Sequence, residues 1–161
     1  MDNLAVTINT RKFQGSDIVK VKQLIDNVVK TCYPEIYPLP VVRYFTDYHS
    51  EESILKNAFE GTMLVAEKEG EIVGTGFITN EYIGGMYIQP EMQGIGIGKI
   101  ILNKLLNIAR SNNVTHLELD ATLNTREFYE KFGFYLVAEE TQMLDDGTKL
   151  DYYRMGIDLK I

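Results

Sequence analysis

A chain of 161 residues, 45% apolar and 24% charged, has the size and balance of one soluble globular domain with a single sizeable core. A net charge of −7 counts against binding a phosphate backbone, which draws on clustered Lys and Arg, and no apolar run nears the ~20 residues of a membrane span. The single cysteine, Cys32, excludes an internal disulfide framework; with no basic or long apolar leader at the start, it points to a cytoplasmic protein.

Ala5 to Arg11 alternates as an edge strand does. Ser16 is placed to cap a helix whose apolar face is Ile18, Val21, Leu24, Ile25, Val28 and Val29, with Cys32 continuing the stripe. "YPEIYPLP" holds three of the four prolines and stops that helix, because proline removes a backbone donor. Val41, Tyr44, Phe45 and Tyr48 then recur at helical spacing. Ser50, followed by Glu51 and Glu52, starts another short helix ending near Gly61.

From Thr62 the period is two. "TMLVAEKEGEIVGTGFIT" reads as two strands around a tight Lys68-Glu69-Gly70-Glu71 turn. "YIGGMYI", Tyr82 to Ile88, is a third strand, whose interior Gly84 and Gly85 mark either a bulge that splays the sheet or a twist point. A helix follows with Ile101, Leu102, Leu105, Leu106, Ile108 and Ala109 on one face. "HLELDA" is a short strand, Asn124 or Thr125 opens a helix ending at Gly133, and the tail is a hairpin around Asp146-Gly147. The whole, residues 1–161, is one mixed α/β domain.

The stretch "QPEMQGIGIGKIILNKLL", Gln89 to Leu106, places a bare backbone at the mouth of a helix. Unpaired N–H groups and the dipole favour an anion there, and the absence of Cβ atoms admits a phosphate. The P-loop spacing G-x-x-x-x-G-K-[ST] is not met. Nor is the dinucleotide pattern G-x-G-x-x-G; its acidic residue ~20 positions on has a counterpart in Asp120, but antiparallel strands precede the turn. The third reading fits. Gln93-Gly94-Ile95-Gly96-Ile97-Gly98 matches Q/R-x-x-G-x-G/A, and "MYIQPEMQGIGIG" with "NTREFYEKFGF" (Asn124 to Phe134) resembles the two common segments of the GNAT superfamily, the acyl-CoA-dependent N-acyltransferases. Glu127 departs from the alanine usual at its position.

The resemblance, weakest over residues 1–60, implies a mixed central sheet of about seven strands flanked by helices, in the order β-α-α-β-β-β-α-β-α-β-β. It implies an acetyl-CoA core near 62–135, with an acceptor side near 12–60 and the hairpin 134–159. Acetyl-CoA would be the co-substrate, with no metal. Its pyrophosphate would lie on the N–H groups of Gly94, Ile95, Gly96, Ile97, Gly98 and Lys99, with Gln93 adding a side-chain contact; Lys99 either adds charge or faces solvent. The pantetheine arm would pair with Met86, Tyr87 and Ile88 as an added strand. Asn124 would touch that arm or cap its helix.

Acyl transfer needs a neutral amine, a polarised thioester carbonyl and a proton for the thiolate. A backbone N–H near Ile88 is the implied oxyanion donor. Tyr129 matches the family's tyrosine and is the expected general acid, with core packing as its other reading. An alkylamine is only about a thousandth neutral at pH 7, so a base is needed. Glu81 is near the family position but one residue out of register; Glu118, Asp120 and a water chain are the alternatives. Tyr33, Tyr37 and Tyr44 are expected to line the acceptor pocket, or else to cover a sheet edge or form a subunit contact. A thiol mechanism from Cys32 with His49 or His116 is disfavoured, because Cys32 continues an apolar stripe. The reading is an N-acetyltransferase acting on a primary amine of a small molecule or peptide by direct attack, with a non-catalytic acyl-CoA sensor as the alternative. Nucleic acid and membrane are not expected partners; a homodimer is.

Overall fold

In the computed structural model, which describes residues 7–160, the alternating stretches form strands and the 3.6-period stretches form helices. The order is β1 (Asn9–Lys12), α1 (Ile18–Cys32), α2 (Leu39–Tyr48), α3 (Glu51–Glu60), β2 (Thr62–Lys68), β3 (Glu71–Thr79) and β4 (Tyr82–Ile88). Then come α4 (Ile97–Ser111), β5 (His116–Ala121), α5 (Arg126–Glu130), β6 (Tyr135–Met143) and β7 (Lys149–Asp158). The strands form one sheet in the order β1-β2-β3-β4-β5-β7-β6. Neighbours are antiparallel except β4 and β5. That parallel pair needs a crossover, and α4 supplies it.

Strand alternation divides the core into two layers. Leu64 and Ala66 join Ile101, Leu102, Leu105 and Met155 on the α4 side. Met63 and Val65 point the other way, to Val21, Val29, Val41 and Ile54 of the first three helices. Each fully buried Leu or Ile contributes about 1.5–3 kcal/mol by leaving water, so these layers fix the sheet on which the site is built.

The helix ends follow local chemistry. Ser50 caps α3 by accepting the Ser53 N–H at 3.1 Å, with Glu51 and Glu52 in the first turn. That cap divides the segment 39–60 into two helices. Three helices therefore precede β2, as the residue spacing predicts, where the order implied by the resemblance has two. The β2–β3 turn runs through Glu69 and Gly70, both at positive φ, as a two-residue hairpin demands. The strand expected from Ala5 begins at Asn9, and its first two residues lie outside the described ones. The helix expected from Asn124 or Thr125 to Gly133 is a single short piece, Arg126–Glu130.

Candidate active site

The site begins with a split in the sheet. β4 and β5 pair only through Tyr82 with Glu118 and Ile83 with Leu119, at the start of β4 and the middle of β5. Beyond Ile83 they part. The cause lies on the other edge of β4, where Phe77 pairs with Gly84 but Thr75 pairs with Tyr87. Gly85 and Met86 thus oppose the single residue Gly76, a bulge that bends the strand. Gly85 takes φ +61, and a Cβ on Gly84 would stand 2.6 Å from Phe77 Cζ. The expected bulge at these glycines is present. The edge of β4 from Gly84 to Ile88 faces a cleft instead of a partner strand.

The glycine turn stands at the end of that strand. Gly94 and Gly96 have φ +82 and +99, and a Cβ on either would meet nothing within 4 Å. The first carbonyl used by α4 is that of Gly96, which accepts from the Ile100 N–H at 3.1 Å. The N–H groups of Ile97, Gly98 and Lys99 therefore have no acceptor within the helix. They form an open, partially positive cradle over a bare backbone. Left-handed glycines with free space above them fit a phosphate group, the part of CoA that must approach main chain. The side chains of Ile95 and Lys99 are exposed, whereas Ile97 is buried in the α4 core layer; only its N–H is available. Gln93 folds back on the strand, its Nε2 donating to the Ile88 carbonyl at 3.0 Å.

The other arm of the cleft opens into a cavity of about 250 Å³. Its walls come from α2, β3, β4, β5, α5 and the β6–β7 hairpin. Tyr129 stands at its inner side. The Tyr129 ring packs edge-on against Phe128 at 5.1 Å and Phe134 at 5.8 Å, so it is partly a core residue. Among the described residues its hydroxyl has no hydrogen-bond partner, yet none of their fully enclosed side-chain polar atoms lacks one. The hydroxyl is thus open to the cavity. Burial holds its pKa above the ordinary phenol value.

Asp120 is the carboxylate at the cavity mouth. Its Oδ2 accepts from the Tyr82 hydroxyl at 3.5 Å. The residue is exposed at the mouth, and its partial desolvation by the cavity wall raises its pKa from the ordinary carboxylate value, against the opposing Tyr82 bond and Arg154 charge. Opposite, the Tyr87 hydroxyl and His49 Nε2 share a hydrogen bond at 2.7 Å, and Tyr87 receives a long contact from Tyr33 at 3.5 Å. The His49 pKa is pushed down to about 4, first by burial and then by the charge of Lys22. His49 is therefore a neutral imidazole at pH 7.

The expected residues fall into three groups. Tyr33, Tyr44, Met86, Tyr87 and Tyr129 line the cavity. Glu81 does not: it sits exposed in the turn before β4, its carbonyl accepting from the Glu118 N–H at 2.9 Å. Tyr37 is likewise outside the cavity, its hydroxyl donating to the Asp151 carbonyl at 2.7 Å and accepting from the Leu123 N–H. Asn124 is exposed and accepts from Thr122 Oγ1 at 2.8 Å; it does not cap α5, whose N-cap is Thr125. Glu118, the other candidate base, is held by His116 at 3.0 Å and Arg154 at 3.8 Å. Tyr82, Tyr152 and Phe77 also reach the cavity. They come from three different strands, β3, β4 and β7, and only the pairing of those strands brings them to one site. Among the described residues there is no cluster of three metal-ligating side chains and no helix long and apolar enough to cross a membrane.

A sheet parted at one parallel pair, with a glycine-turn anion cradle at the mouth, is the build of an acyl-CoA-binding acyltransferase domain. Residues 22–155 match the family model of the acetyltransferase (GNAT) domain, and the chain belongs to that family. It is 24% identical over 95 residues to GCN5-related N-acetyltransferase 3, chloroplastic, of Arabidopsis thaliana, covering 56% of this chain and 40% of that one. It is 36% identical over 62 residues to glucosamine 6-phosphate N-acetyltransferase of Trypanosoma brucei brucei, covering 38% and 41%. The chain spans half or less of the length of these curated relatives. In fold it is similar to a GCN5-related N-acetyltransferase from Rhodopseudomonas palustris, with a TM-score of 0.87 at 19% identity over 95% of this chain and 96% of that one. The PaiA N-acetyltransferase of Thermoplasma acidophilum, solved with coenzyme A, gives a TM-score of 0.77 at 19% identity, covering 95% and 99%.

Proposed function

We propose that this chain transfers acetyl from acetyl-CoA to a primary amine of a small molecule or peptide by direct attack, with both substrates bound together. The observation that carries the reading is the Tyr129 hydroxyl, unbonded and open to the cavity where the β4–β5 cleft meets it. Bound acetyl-CoA supplies an activated thioester. The N–H groups from Gly94 to Lys99 hold its pyrophosphate, and the free edge of Met86, Tyr87 and Ile88 holds the arm. An N–H of that edge near Ile88 stabilises charge on the carbonyl oxygen.

Asp120, and not Glu81, is the proton acceptor in this reading, because Asp120 lines the cavity and its raised pKa moves it toward working pH. It takes the proton of the ammonium form, leaving a neutral amine. As the new C–N bond forms and the C–S bond breaks, Tyr129 protonates the departing thiolate and recovers a proton from the attacking nitrogen. Burial disfavours thiolate and phenolate alike, so a raised Tyr129 still matches a thiol in the same site.

The division into a cofactor core (62–135) and an acceptor side (12–60 with 134–159) is supported by the cavity walls. Tyr33, Tyr44 and His49 come from the first acceptor-side segment, and Gln142, Leu150 and Tyr152 from the second. A cytoplasmic location rests on the single cysteine, and gel filtration tests the implied homodimer. Calorimetric titration with acetyl-CoA, CoA and NAD, beside a thiol-release assay over amines, tests the function. Binding of acetyl-CoA with amine-dependent release is expected. Binding without release would favour the acyl-CoA sensor, and no binding would end the reading.

A further inference from the structure

We propose that the cavity takes a compact primary amine with one positive charge on an apolar or aromatic body and no negative group, and that Asp120 holds its ammonium. The proposal rests on the acetyl-transfer reading for the fate of the amine, but not for its binding.

Three observations carry it. First, the cavity's formal charge comes from one group. Among the described residues lining it, Asp120 is the single carboxylate, no Lys or Arg is present, and His49 is neutral. The neighbouring carboxylates are already occupied: Arg154 reaches Glu140 at 3.3 Å and Glu118 at 3.8 Å, and His116 holds Glu118. Arg154 stands opposite Asp120 across β5 and β7 and acts on it at a distance, but among the described residues Asp120 makes no ion pair of its own, and its exposed carboxylate is open to a ligand's charge. A group whose pKa rises through partial desolvation is stabilised as an anion when a cation arrives.

Second, the rest of the wall is aromatic. Tyr44 and Tyr48 stack at 5.8 Å and 27°, and Tyr82 lies 6.3 Å from Phe77. Tyr82 bonds Asp120 directly, and Tyr48 and Tyr152 stand close enough for its charge to raise their pKa values. Such a wall takes an apolar body by burial and an ammonium by cation–π contact.

Third, the cavity is small. At about 250 Å³ it is below the ~300–1,000 Å³ usual for drug-sized ligands. A phosphate or carboxylate on the acceptor would have to be buried without a cation, which is costly. A sugar phosphate or free amino acid is therefore a poor fit, and a polycation would find one free carboxylate for several charges.

The test is calorimetric titration of the CoA-loaded protein and its Asp120→Asn variant with 2-phenylethylamine, 2-phenylethanol, phenylalanine, glucosamine 6-phosphate and spermidine. In the wild type, 2-phenylethylamine is expected to bind at least about tenfold more tightly than the isosteric alcohol and than both anionic amines. In Asp120→Asn the amine–alcohol gap should close to within about threefold. Equal or tighter binding of the alcohol, an anionic amine or spermidine overturns the proposal, as does an undiminished gap in the variant or no binding of 2-phenylethylamine. The wild-type comparison with the alcohol stands even if the variant fails to fold. Thiol release is read separately: the expected binding pattern without release overturns acetyl transfer and leaves the acceptor class standing, whereas release from amines of another class overturns the class alone.

Discussion

The hydroxyl of Tyr87 lies 2.7 Å from Nε2 of His49, and both side chains are buried. The bond ties the end of α2 to β4, the strand that carries the cleft. The folded His49 pKa of about 4 lies below the unfolded value of 6.5. Between those two pH values the unfolded chain binds the extra proton, so stability is fully present above about pH 6.5 and is lost as pH falls toward 4. At about 1.4 kcal/mol per unit, the drop corresponds to roughly 3 kcal/mol at most. His49→Gln keeps a hydrogen-bond partner for Tyr87 and removes the titration. Urea unfolding of the two proteins from pH 7 to pH 4 should show the wild type losing stability faster; parallel curves would mean that His49 charges freely in the folded state.

Tyr129→Phe retains the ring that packs between Phe128 and Phe134 and removes the hydroxyl open to the cavity. Fold and acetyl-CoA affinity should stay nearly unchanged, while turnover falls by about a hundredfold, the usual range for losing a general acid. Single-turnover thiol release beside a CoA titration separates the two effects. A variant with unchanged turnover across pH would leave Tyr129 as a packing residue.

Arg11 forks onto Asp17 at 2.8 and 2.9 Å and reaches Glu67 at 2.6 Å through Nε, joining β1, the turn before α1, and β2. Asp17 is buried, and the Arg11 hydrogen bond, more than any other influence, holds its carboxyl below the ordinary carboxylate value. A depressed carboxyl contributes stability above its unfolded pKa that is lost as pH falls through the folded one. Arg11→Met strands the buried carboxylate and should cost about 1–3 kcal/mol at pH 7. Thermal melts at pH 7 and pH 3 check this: the deficit should shrink at the lower pH, and a deficit independent of pH would assign it to lost packing instead.

What the sequence made legible was whatever local chemistry decides. The bounds of β4 follow from Tyr82 and Ile88, and the two-residue hairpin from Glu69-Gly70. The bulge follows from Gly84-Gly85 and the anion cradle from three spaced glycines. What it hid depends on partners from distant elements. Glu118 and Asp120 share a face of β5 and look alike, until Arg154 of β7 takes the first and leaves the second to the cavity. Tyr33 and Tyr37 lie in the same proline-rich segment, yet Tyr37 is taken by Asp151 and Leu123 from the other end of the chain. Glu81 is next to the right strand but in the turn before it, where a count of one residue decides between cleft and solvent.

Two glycines, one in the cradle and one behind the cleft strand, should respond to alanine for different reasons. A Cβ on Gly96 meets nothing within 4 Å, but its φ of +99 is one that alanine rarely adopts, and the added methyl enters the space assigned to phosphate. Gly96→Ala should therefore cost about 1–2 kcal/mol in strain and weaken acetyl-CoA binding by more than tenfold. Gly76 lies inside β3 with ordinary φ, and a Cβ there would collide with the sulfur of Met86 and crowd Ile101 at 3.0 Å. The flexible Met86 thioether can swing aside, but Ile101 and Leu105 of the packed core cannot, so Gly76→Ala should destabilise the fold by about 1 kcal/mol through overpacking. Melting temperature and CoA affinity, measured together, separate the two. If Gly96→Ala bound CoA as tightly as the parent, the cradle would not be where the pyrophosphate lies, and the bare loop would be a connection with no ligand.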